Sequence, residues 1–557
     1  MGRDDSTAKT AGTAGGAVLG LLAVTQFLMA VDSSVMNVSI SALVEDLDTT
    51  VTAIQGVITA YTLVMAATMI TGAKVGDLLG RRRALRVGLV VYACGSALTA
   101  VAPNVVVLLI GWSILEGLGA ALIMPTLVAL IAGNFTGQAR ATAYGVLAAA
   151  AAVAVAAGPI IGGFVTAYFS WRWVFAAEVL IAGGLLMGTR IIADVPAEKR
   201  PQFDLVGAGL SALGLGMLVF GVLQSSTWGW FTPRVPDGPD ATPQLAGISA
   251  VTWLVLGGLL VLWLFVSWLR HRVDKGQEPL VDPALFDNKQ LTGGLIELLF
   301  QYLVMMGVFF TMPLFLSLVL GLDAFETGLR MLPLSLALVV TAPAVPKLFP
   351  HVGPRRIVQV GLLAMLVSTV LLAARFEDGA GASVTTLPFI LLGVGMGALA
   401  SQLGNIVVSA VPVERGGEAG GLQYTAQNLG ASLGTALVGA VVIASLGTLL
   451  LQGIQASPEL DAALKEQAAI QIGSGIDFVS AAQVEDALSE TGLSTTEQAV
   501  ILDEYESAQL GALSKGMILL SLFVIVALFF TRRIPADPLT PDDEPAETGT
   551  TAPSAPS

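Results

Sequence analysis

Apolar residues along the chain gather in blocks of about 20, separated by short polar, glycine- or proline-containing breaks. A helix rising about 1.5 Å per residue needs that length to cross a hydrocarbon core of roughly 30 Å, so each block predicts a membrane-spanning helix. The blocks fall near 17–43, 53–73, 84–103, 105–133, 142–168, 172–193, 203–223, 248–270, 291–319, 326–349, 354–375, 384–411, 418–450 and 514–531, which makes fourteen. The stretch from Gly207 to Gly221 is the least apolar, because its small residues lower hydropathy. The first block runs on through Asp32 and Asn37 with no small-residue cleavage site behind a short apolar region, so it reads as a retained helix.

Charge orients the set, because Lys and Arg collect on the cytoplasmic side of a membrane. With the N-terminus inside and an even number of spans, the internal loops hold Arg81, Arg82, Arg83 and Arg86, then Arg140, then Arg190, Lys199 and Arg200. They continue with Arg270, Arg272, Lys275 and Lys289, with Lys347, Arg355 and Arg356, and with Arg532 and Arg533. The alternate loops carry Glu45, Asp46, Asp48, Asp237, Asp240, Asp323, Glu326, Glu377 and Asp378, with scattered bases such as Arg172, Arg234 and Arg375. The pattern predicts a multi-pass protein of a plasma membrane with both termini cytoplasmic.

Composition agrees. Of 557 residues, 54% are hydrophobic and only 12% charged, with a mean hydropathy of +0.78, far from the mix of a soluble domain. The expected fold class is an all-α polytopic membrane protein. The net charge of −14 is local: residues 451–513 carry eleven acids against one base, Lys465. That segment is predicted to be external. Within it, Ser494-Thr-Thr-Glu497 precedes Ala499, Val500, Ile501 and Leu502, a capping-box pattern that predicts a short helix in an otherwise solvated spacer. The tail after Pro535, rich in Pro, Asp, Glu, Thr and Ser, reads as disordered. The single cysteine, Cys94, forms no intrachain disulfide and is expected to pack among apolar neighbours.

Several function classes drop out. No Gly-x4-Gly-Lys-Ser/Thr loop is present to hold ATP, and no HExxH, GxSxG or Cys/His cluster points to an enzyme, a metal or another cofactor. Gly393, Gly395 and Gly397 lie in an apolar helix, where packing explains them. An ion-coupled membrane protein remains.

An internal repeat divides the chain. Lys74-Val-Gly-Asp-Leu-Leu-Gly80-Arg-Arg-Arg83 is echoed by Lys347-Leu-Phe-Pro-His-Val-Gly353-Pro-Arg-Arg356, with Pro350 in place of Asp77. Parallel repeats of this kind predict two facing helical bundles with a substrate site between them near mid-membrane. The expected organisation is a cytoplasmic tail (1–16), an N-terminal six-helix bundle (17–193), two additional helices (203–270), a C-terminal six-helix bundle (291–531) including the external acidic loop, and a cytoplasmic tail (532–557).

Charged groups inside a bilayer are costly and mark function. Here they are Asp32 in helix 1, Glu116 in helix 4, Glu178 in helix 6 and Glu297 in helix 9, with no Lys or Arg at comparable depth. A carboxyl held in hydrocarbon without a cationic partner is suited to carrying protons. Both histidines, His271 and His351, fall in loops on the basic side.

Four motifs carry a resemblance. Gly76-Asp77-Leu-Leu-Gly80-Arg81-Arg82-Arg83 joins helices 2 and 3, where a carboxylate would cap a helix N-terminus while the arginines meet lipid headgroups. Gly158-Pro159-Ile-Ile-Gly162-Gly163 in helix 5 combines close backbone approach with a break in the hydrogen-bond ladder, which suits a bending gate. Asp32-Ser-Ser-Val-Met-Asn37 lies in helix 1, and Ser170-Trp171-Arg172-Trp173-Val-Phe175 opens helix 6. In these residues the chain resembles the major facilitator superfamily, and within it the fourteen-helix drug:proton antiporter family of QacA-like and EmrB-like exporters, over about residues 30–530. The resemblance departs in four places. Ala73 and Ala154 stand where glycines are usual, helix 4 reads Ser113-Ile-Leu-Glu116-Gly117 where an Arg and a Gln are usual, and Glu178 replaces an Asn.

The resemblance implies proton-coupled efflux of small lipophilic drugs or antibiotics, cations among them, by alternating access. It implies Asp32 and Glu116 as the N-terminal part of the coupling site, with Glu178 as a further acid near the outer end and Glu297, beside Gln301 and Tyr302, serving the C-terminal half. Phe27, Trp112, Phe300, Tyr302, Phe309 and Tyr424 are candidates for an aromatic cavity, with Asn37, Ser113, Gln301, Gln402, Asn405, Gln423 and Gln427 as polar contacts. The partners expected are a small-molecule substrate, protons and the lipid bilayer, for a monomeric chain that binds no nucleic acid and needs no cofactor. Two other readings stay open: a dedicated exporter of a lipid, amino acid or secondary metabolite, and a membrane sensor acting through the external loop.

Overall fold

The computed structural model describes residues 4–49, 51–193, 203–234, 242–322, 324–376, 381–412, 415–473, 478–489 and 493–538. The tail expected to be disordered lies outside them from residue 539 onward. Among the described residues, twelve helices are long and apolar enough to cross a membrane, and Arg81–Ala100 and Gly137–Tyr168 complete a set of fourteen. Arg81–Ala100 falls short on hydropathy because its first turns carry Arg81, Arg82, Arg83 and Arg86.

In chain order, helix 1 is Asp4–Val38, helix 2 Val51–Leu79, helix 3 Arg81–Ala100, helix 4 Val105–Asn134, helix 5 Gly137–Tyr168, helix 6 Arg172–Gly188 and helix 7 Leu205–Trp228. Helix 8 is Ala250–Asp274, helix 9 Lys289–Val319, helix 10 Ala324–Leu348, helix 11 Pro354–Arg375, helix 12 Thr386–Ser409, helix 13 Gly416–Ala456 and helix 14 Thr495–Phe530. Helix 1 therefore begins well before residue 17, and it breaks at Ser39, beyond which Ile40–Asp46 forms a separate short helix. At the break, the Ser39 hydroxyl turns back to the Val35 carbonyl (3.1 Å) and meets Thr166 Oγ1 of helix 5 (3.0 Å). Serine side chains that bond their own backbone compete with the helical ladder in this way.

The packing repeats along with the sequence. Helix 1 lies on 5, 2 on 4, and 3 on 4 and 6; in the second half 9 lies on 13, 10 on 12, and 11 on 12 and 14. Across the molecule, 2 meets 13 and 5 meets 10. Helices 7 and 8 form a hairpin joined through a two-stranded ribbon, Gln244–Leu245 with Ile248–Ser249. Glycines bring them together: a methyl group at Gly258 would lie 2.9 Å from the Gly214 carbonyl oxygen. Helix 7 then rests on helices 2 and 13, bridging the two halves. Asp204 anchors its start, accepting from Gly207 N (2.9 Å) and Trp268 Nε1 (3.0 Å), with Arg272 at 3.6 Å.

Helices 13 and 14 overrun the membrane. Their 41 and 36 residues extend about 61 and 54 Å, against roughly 30 Å of hydrocarbon. The surplus of both, with two short helices, Ala462–Gly473 and Ala481–Ser489, builds a cap on the face opposite the basic one, with its own buried polar centre. There the Tyr505 hydroxyl accepts from Val479 N (2.9 Å) and donates to Val479 O (3.1 Å), and Gln509 Nε2 donates to the same carbonyl (2.6 Å). The acidic segment is thus a folded helical unit. The capping box is present, with Ser494 N donating to Glu497 Oε2 (2.8 Å) and Glu497 N to Ser494 Oγ (3.3 Å). It opens helix 14 itself rather than a separate short helix. Replacing Ser494 with alanine is expected to cost about 1 kcal/mol of local stability, read as faster amide exchange over residues 495–500 with no change deeper in helix 14.

The second copy of the repeated loop has acquired a different partner. A methyl at Gly353 would collide with the Ala536 carbonyl, and Arg355 donates from its backbone to Pro535 O (3.2 Å) and from its side chain to Ile534 O (2.8 Å) and Arg532 O (3.1 Å). The segment after helix 14 is strapped across the basic face there. Cys94, expected to pack, is exposed on the outside of helix 3.

Candidate functional site

Three of the four membrane acids come together. Asp32, Glu116 and Glu178 are 1%, 0% and 2% exposed, and each presents a carboxylate oxygen within 4.8 Å of the other two. Five helices position them. Trp112 Nε1 of helix 4 donates to Asp32 Oδ1 (2.7 Å), and the Tyr61 ring of helix 2 stacks on Trp112 with centroids 4.5 Å apart and planes 4° apart. From helix 3, the hydroxyls of Tyr92 (2.9 Å) and Ser96 (3.3 Å) donate to Glu178 Oε2. Helix 4 turns π-helical over Leu109–Glu116, one residue per turn wider than the α form, and such bulges concentrate at functional sites. Gly95 and Gly111 make the room: a methyl at Gly95 would lie 2.6 Å from Glu116 Cγ, and one at Gly111 2.6 Å from Thr99 Oγ1.

Glu178, expected apart from the others near the outer end, belongs to this cluster. Ser113, expected in the cavity, donates instead to the Val57 carbonyl (2.7 Å). Glu297 stands alone in helix 9, 0% exposed, with no hydrogen-bond partner at either carboxylate oxygen.

Between the two halves lies a cavity of about 220 Å³. Helix 1 contributes Gln26, Met29, Ala30 and Ser33; Met65 and Met124 come from helices 2 and 4; Gln301, Tyr302, Met305, Met306 and Phe309 come from helix 9. Met396 of helix 12 and Tyr424, Gln427 and Asn428 of helix 13 face them. Six of the fifteen methionines therefore meet here, and among the described residues no Asp, Glu, Lys, Arg or His is on the wall. A smaller space of about 60 Å³ shares Gln26, Gln301, Tyr302, Tyr424 and Gln427 and adds Tyr144 and Gln423 on the side toward the basic face. The Tyr424 hydroxyl donates to Gln26 Oε1 (3.0 Å) across the halves, and Gln301 Nε2 to the Met396 carbonyl (3.2 Å).

Of the residues read from the sequence as cavity candidates, Gln301, Tyr302, Phe309, Gln423, Tyr424 and Gln427 line these spaces. Phe27 packs on Val31, Val35, Ala154 and Val174 instead. Phe300 lies against Phe523 and Phe530, and Trp112 belongs to the acid cluster. Gln402 and Asn405 border a separate pocket at the basic face, which Pro538 also lines. The side chain of Asn37 lies outside the described residues. The methionines and Gln26 carried no signal in the sequence, since they are scattered over five helices and meet only through the fold.

Polar pairs gather at the basic face beneath the cavity, two of them joining the halves. Arg81 Nη1 pairs with Asp77 Oδ1 at 2.5 Å and Lys74 Nζ with Glu418 Oε1 of helix 13 at 3.4 Å. Arg140 Nε of helix 5 donates to Asn405 Oδ1 of helix 12 (3.0 Å). Asp77 does not cap helix 3, whose N-cap is Gly80. Gly80 has φ of +85°, open to glycine and strained for other residues. Gly76 faces Thr126 and Ala84, and Arg82 reaches the Ile192 carbonyl (3.3 Å) rather than headgroups alone. The start of helix 13 is pressed in by Gly417, Gly420 and Gly421: a methyl at Gly420 would lie 2.9 Å from the Pro125 carbonyl oxygen, and one at Gly421 2.8 Å from Ala73 Cβ. That glycine run was the available clue to the contact, and sequence reasoning passed over it.

The other motifs have structural partners too. Gly162 carries helix 5 against helix 1, where a methyl would lie 2.9 Å from Val35 Cγ1. Gly158 is buried and Gly163 half-buried, and helix 5 continues unbroken through Pro159, whose side chain lies outside the described residues. At the face opposite the basic one, Trp171 Nε1 donates to Asp46 Oδ2 (3.1 Å), Arg172 forms an ion pair with Asp46, and Arg172 Nη2 reaches Ala102 O (2.8 Å).

Comparisons with known proteins agree with this architecture. The family model "Major Facilitator Superfamily" matches residues 22–226 and 205–435. The tetracenomycin C resistance and export protein of Streptomyces glaucescens is 29% identical over 76% of each chain. The multidrug efflux pump LfrA of Mycolicibacterium smegmatis is 29% identical over 76% of this chain and 80% of its own. The cephamycin export protein CmcT of Amycolatopsis lactamdurans is 30% identical over 78% and 85%. Among solved structures, the human organic anion transporter MFSD10 superposes with a TM-score of 0.54 at 13% identity, over 92% of this chain and 99% of its own. The proton:xylose symporter XylE does so with 0.53 at 12%, over 93% and 96%. With fourteen helices, paired half-molecules and a central cavity on the page, the chain belongs to the major facilitator superfamily, a family of multi-pass membrane transporters and not of enzymes.

Proposed function

We propose that this transporter exports small lipophilic molecules by alternating access, with inward proton movement through Asp32, Glu116 and Glu178 as the driving step. One observation carries the reading: the same helices hold both the acids and the cavity wall. On helix 1, Asp32 turns into the cluster while Ser33 and Met29 face the cavity. On helix 2, Tyr61 stacks in the cluster one turn from Met65 on the wall. A change of charge on Asp32 therefore acts on the cavity without any intermediary. The wall's methionines, flexible and polarisable, suit varied apolar ligands, and its amides and tyrosines would meet their polar groups. With no charged side chain on the wall among the described residues, uncharged and weakly charged compounds fit it, and the aromatic faces of Tyr302, Phe309 and Tyr424 admit cations as well.

In this reading helices 1–6 and 9–14 are the two moving bundles, helices 7 and 8 bridge them, and the chain acts as a monomer. The basic face with both termini is cytoplasmic and the membrane is the bacterial inner membrane, in keeping with the bias of Lys and Arg to that side. The relatives' names, which include export and multidrug efflux proteins, support outward transport. A dedicated exporter of one secondary metabolite is the second reading, favoured by the relatives named for tetracenomycin C and cephamycin.

The test is transport by purified protein in proteoliposomes. Asp32→Asn and Glu116→Gln are each expected to reduce proton-gradient-driven export roughly a hundredfold, in line with loss of a positioned proton carrier, while exchange of substrate without a gradient persists. If both variants keep gradient-driven transport at the parental rate, the coupling assignment is wrong. Screening neutral antibiotics and lipophilic cations in a pump-deficient strain separates the broad reading from the dedicated one.

A further inference from the structure

The acid cluster is richer in acceptors than its surroundings can satisfy. Three donors are placed on it: the Trp112 indole N–H on Asp32 Oδ1, and the Tyr92 and Ser96 hydroxyls on Glu178 Oε2. Four carboxylate oxygens, Asp32 Oδ2, Glu116 Oε1 and Oε2 and Glu178 Oε1, have no hydrogen-bond partner. Independently of the acids, the Thr99 hydroxyl is 0% exposed, also without a partner, and faces the Glu116 carboxyl. The ionisable groups facing the cluster are its own carboxyls together with Tyr61 of helix 2 and Tyr92 of helix 3. Buried oxygens left over in this way call for positive charge from outside the protein.

Resting on the ion-driven reading above, we propose that Asp32, Glu116, Glu178 and Thr99 form a binding site for a sodium ion, which replaces one proton in the cluster. Three oxygens within 4.8 Å of one another all lie within about 2.8 Å of a common point, close to the roughly 2.3–2.6 Å that calcium-sized cations take to oxygen. The donor set is hard oxygen throughout, which disfavours zinc, copper and iron, whose preferred partners include imidazole and thiolate. Magnesium sheds water reluctantly and demands near-octahedral geometry at about 2.0–2.1 Å, unsuited to a tight, apolar-walled pocket. A transporter must also release its ion every cycle, which favours a single charge over two. Sodium and protons then compete for the same oxygens, so sodium binding weakens as pH falls.

Thermal unfolding of the purified full-length protein in equal concentrations of sodium, potassium and choline chloride tests the site. Sodium is expected to raise the midpoint above the other two salts, with a smaller rise at acidic pH. Glu116→Gln is expected to abolish the sodium effect. Thr99→Ala, which leaves every carboxyl in place, is expected to raise the half-saturating sodium concentration roughly tenfold or more, as loss of a supporting oxygen does at metal sites. Equal behaviour in the three salts, or a sodium effect that survives Glu116→Gln, overturns the proposal. If sodium has no effect while proton-driven export persists, the sodium site is wrong and the export reading stands; if neither gradient nor sodium matters, the ion-driven reading falls with it.

Discussion

Replacing Gly430 with valine is expected to prevent the protein from accumulating in folded form. Gly430 and Gly434 stand one turn apart on helix 13, and an added Cβ at either would run into a helix 9 backbone carbonyl, that of Leu299 or of Leu303. The obstacle is backbone in a helix that itself carries Gln301, Tyr302 and Glu297, so relief requires the two helices to separate. Overpacking in a core costs about 1–3 kcal/mol and sometimes more. Here it also removes the close approach on which small-residue helix pairs depend. Detergent-solubilised Gly430→Val should elute as aggregate or unfold far below the parent in a thermal scan. Ala444→Val, on an exposed position of the same helix, should behave as the parent does. A monodisperse Gly430→Val with a parental midpoint would show that this contact does not hold the halves of the C-terminal bundle together.

The second large effect is expected at the other glycine cluster of helix 13. A side chain at Gly417 would occupy the place of the Arg81 guanidinium and crowd Asp77 Oδ1. Arg81 can move, but only by leaving Asp77, and both sit largely buried. Breaking a buried pair costs about 3–5 kcal/mol, more than a hundredfold in an equilibrium constant. The conformation closed at the basic face should therefore give way to one open there. With Cys94 replaced by serine and a cysteine placed at Gln423 on the cavity floor, a membrane-impermeant maleimide applied from the basic face should label Gly417→Val at least tenfold faster than the Gly417 parent. Equal labelling would mean that the Asp77–Arg81 pair does not hold this face shut.

Much of the architecture was readable because a membrane leaves few choices. Spans of apolar residues must be helical there, and the bias of Arg81, Arg190, Arg355 and Arg532 to one side ordered them. The repeat at Lys74 and Lys347 foretold two halves, and helix pairs 2–4 and 10–12 repeat it in packing. What hydropathy does not carry is rotation about each helix axis. Asp32 and Ser33 are neighbours in sequence yet serve different sites, and Phe27 and Phe300 turn away from the cavity although their residue type suited it. Glu178 looked peripheral by depth, but helix 3 brings Tyr92 and Ser96 to it and so draws it to Asp32. The cap was missed for another reason: its composition is acidic and its apolar positions sparse, so only contacts between distant segments, such as Val479 with Tyr505 and Gln509, reveal a core.

Helix 13 has two working ends. At one, Gly417 and Glu418 pack into the basic face; at the other, about 54 Å away along an uninterrupted helix, Gly453 packs against Glu504 in the cap. A stiff rod transmits displacement, so whatever grips the cap also takes hold of the far gate. An antibody fragment clamped across residues 456–504 would act as a brake on the opposite side of the membrane, reaching the transport cycle without entering the cavity.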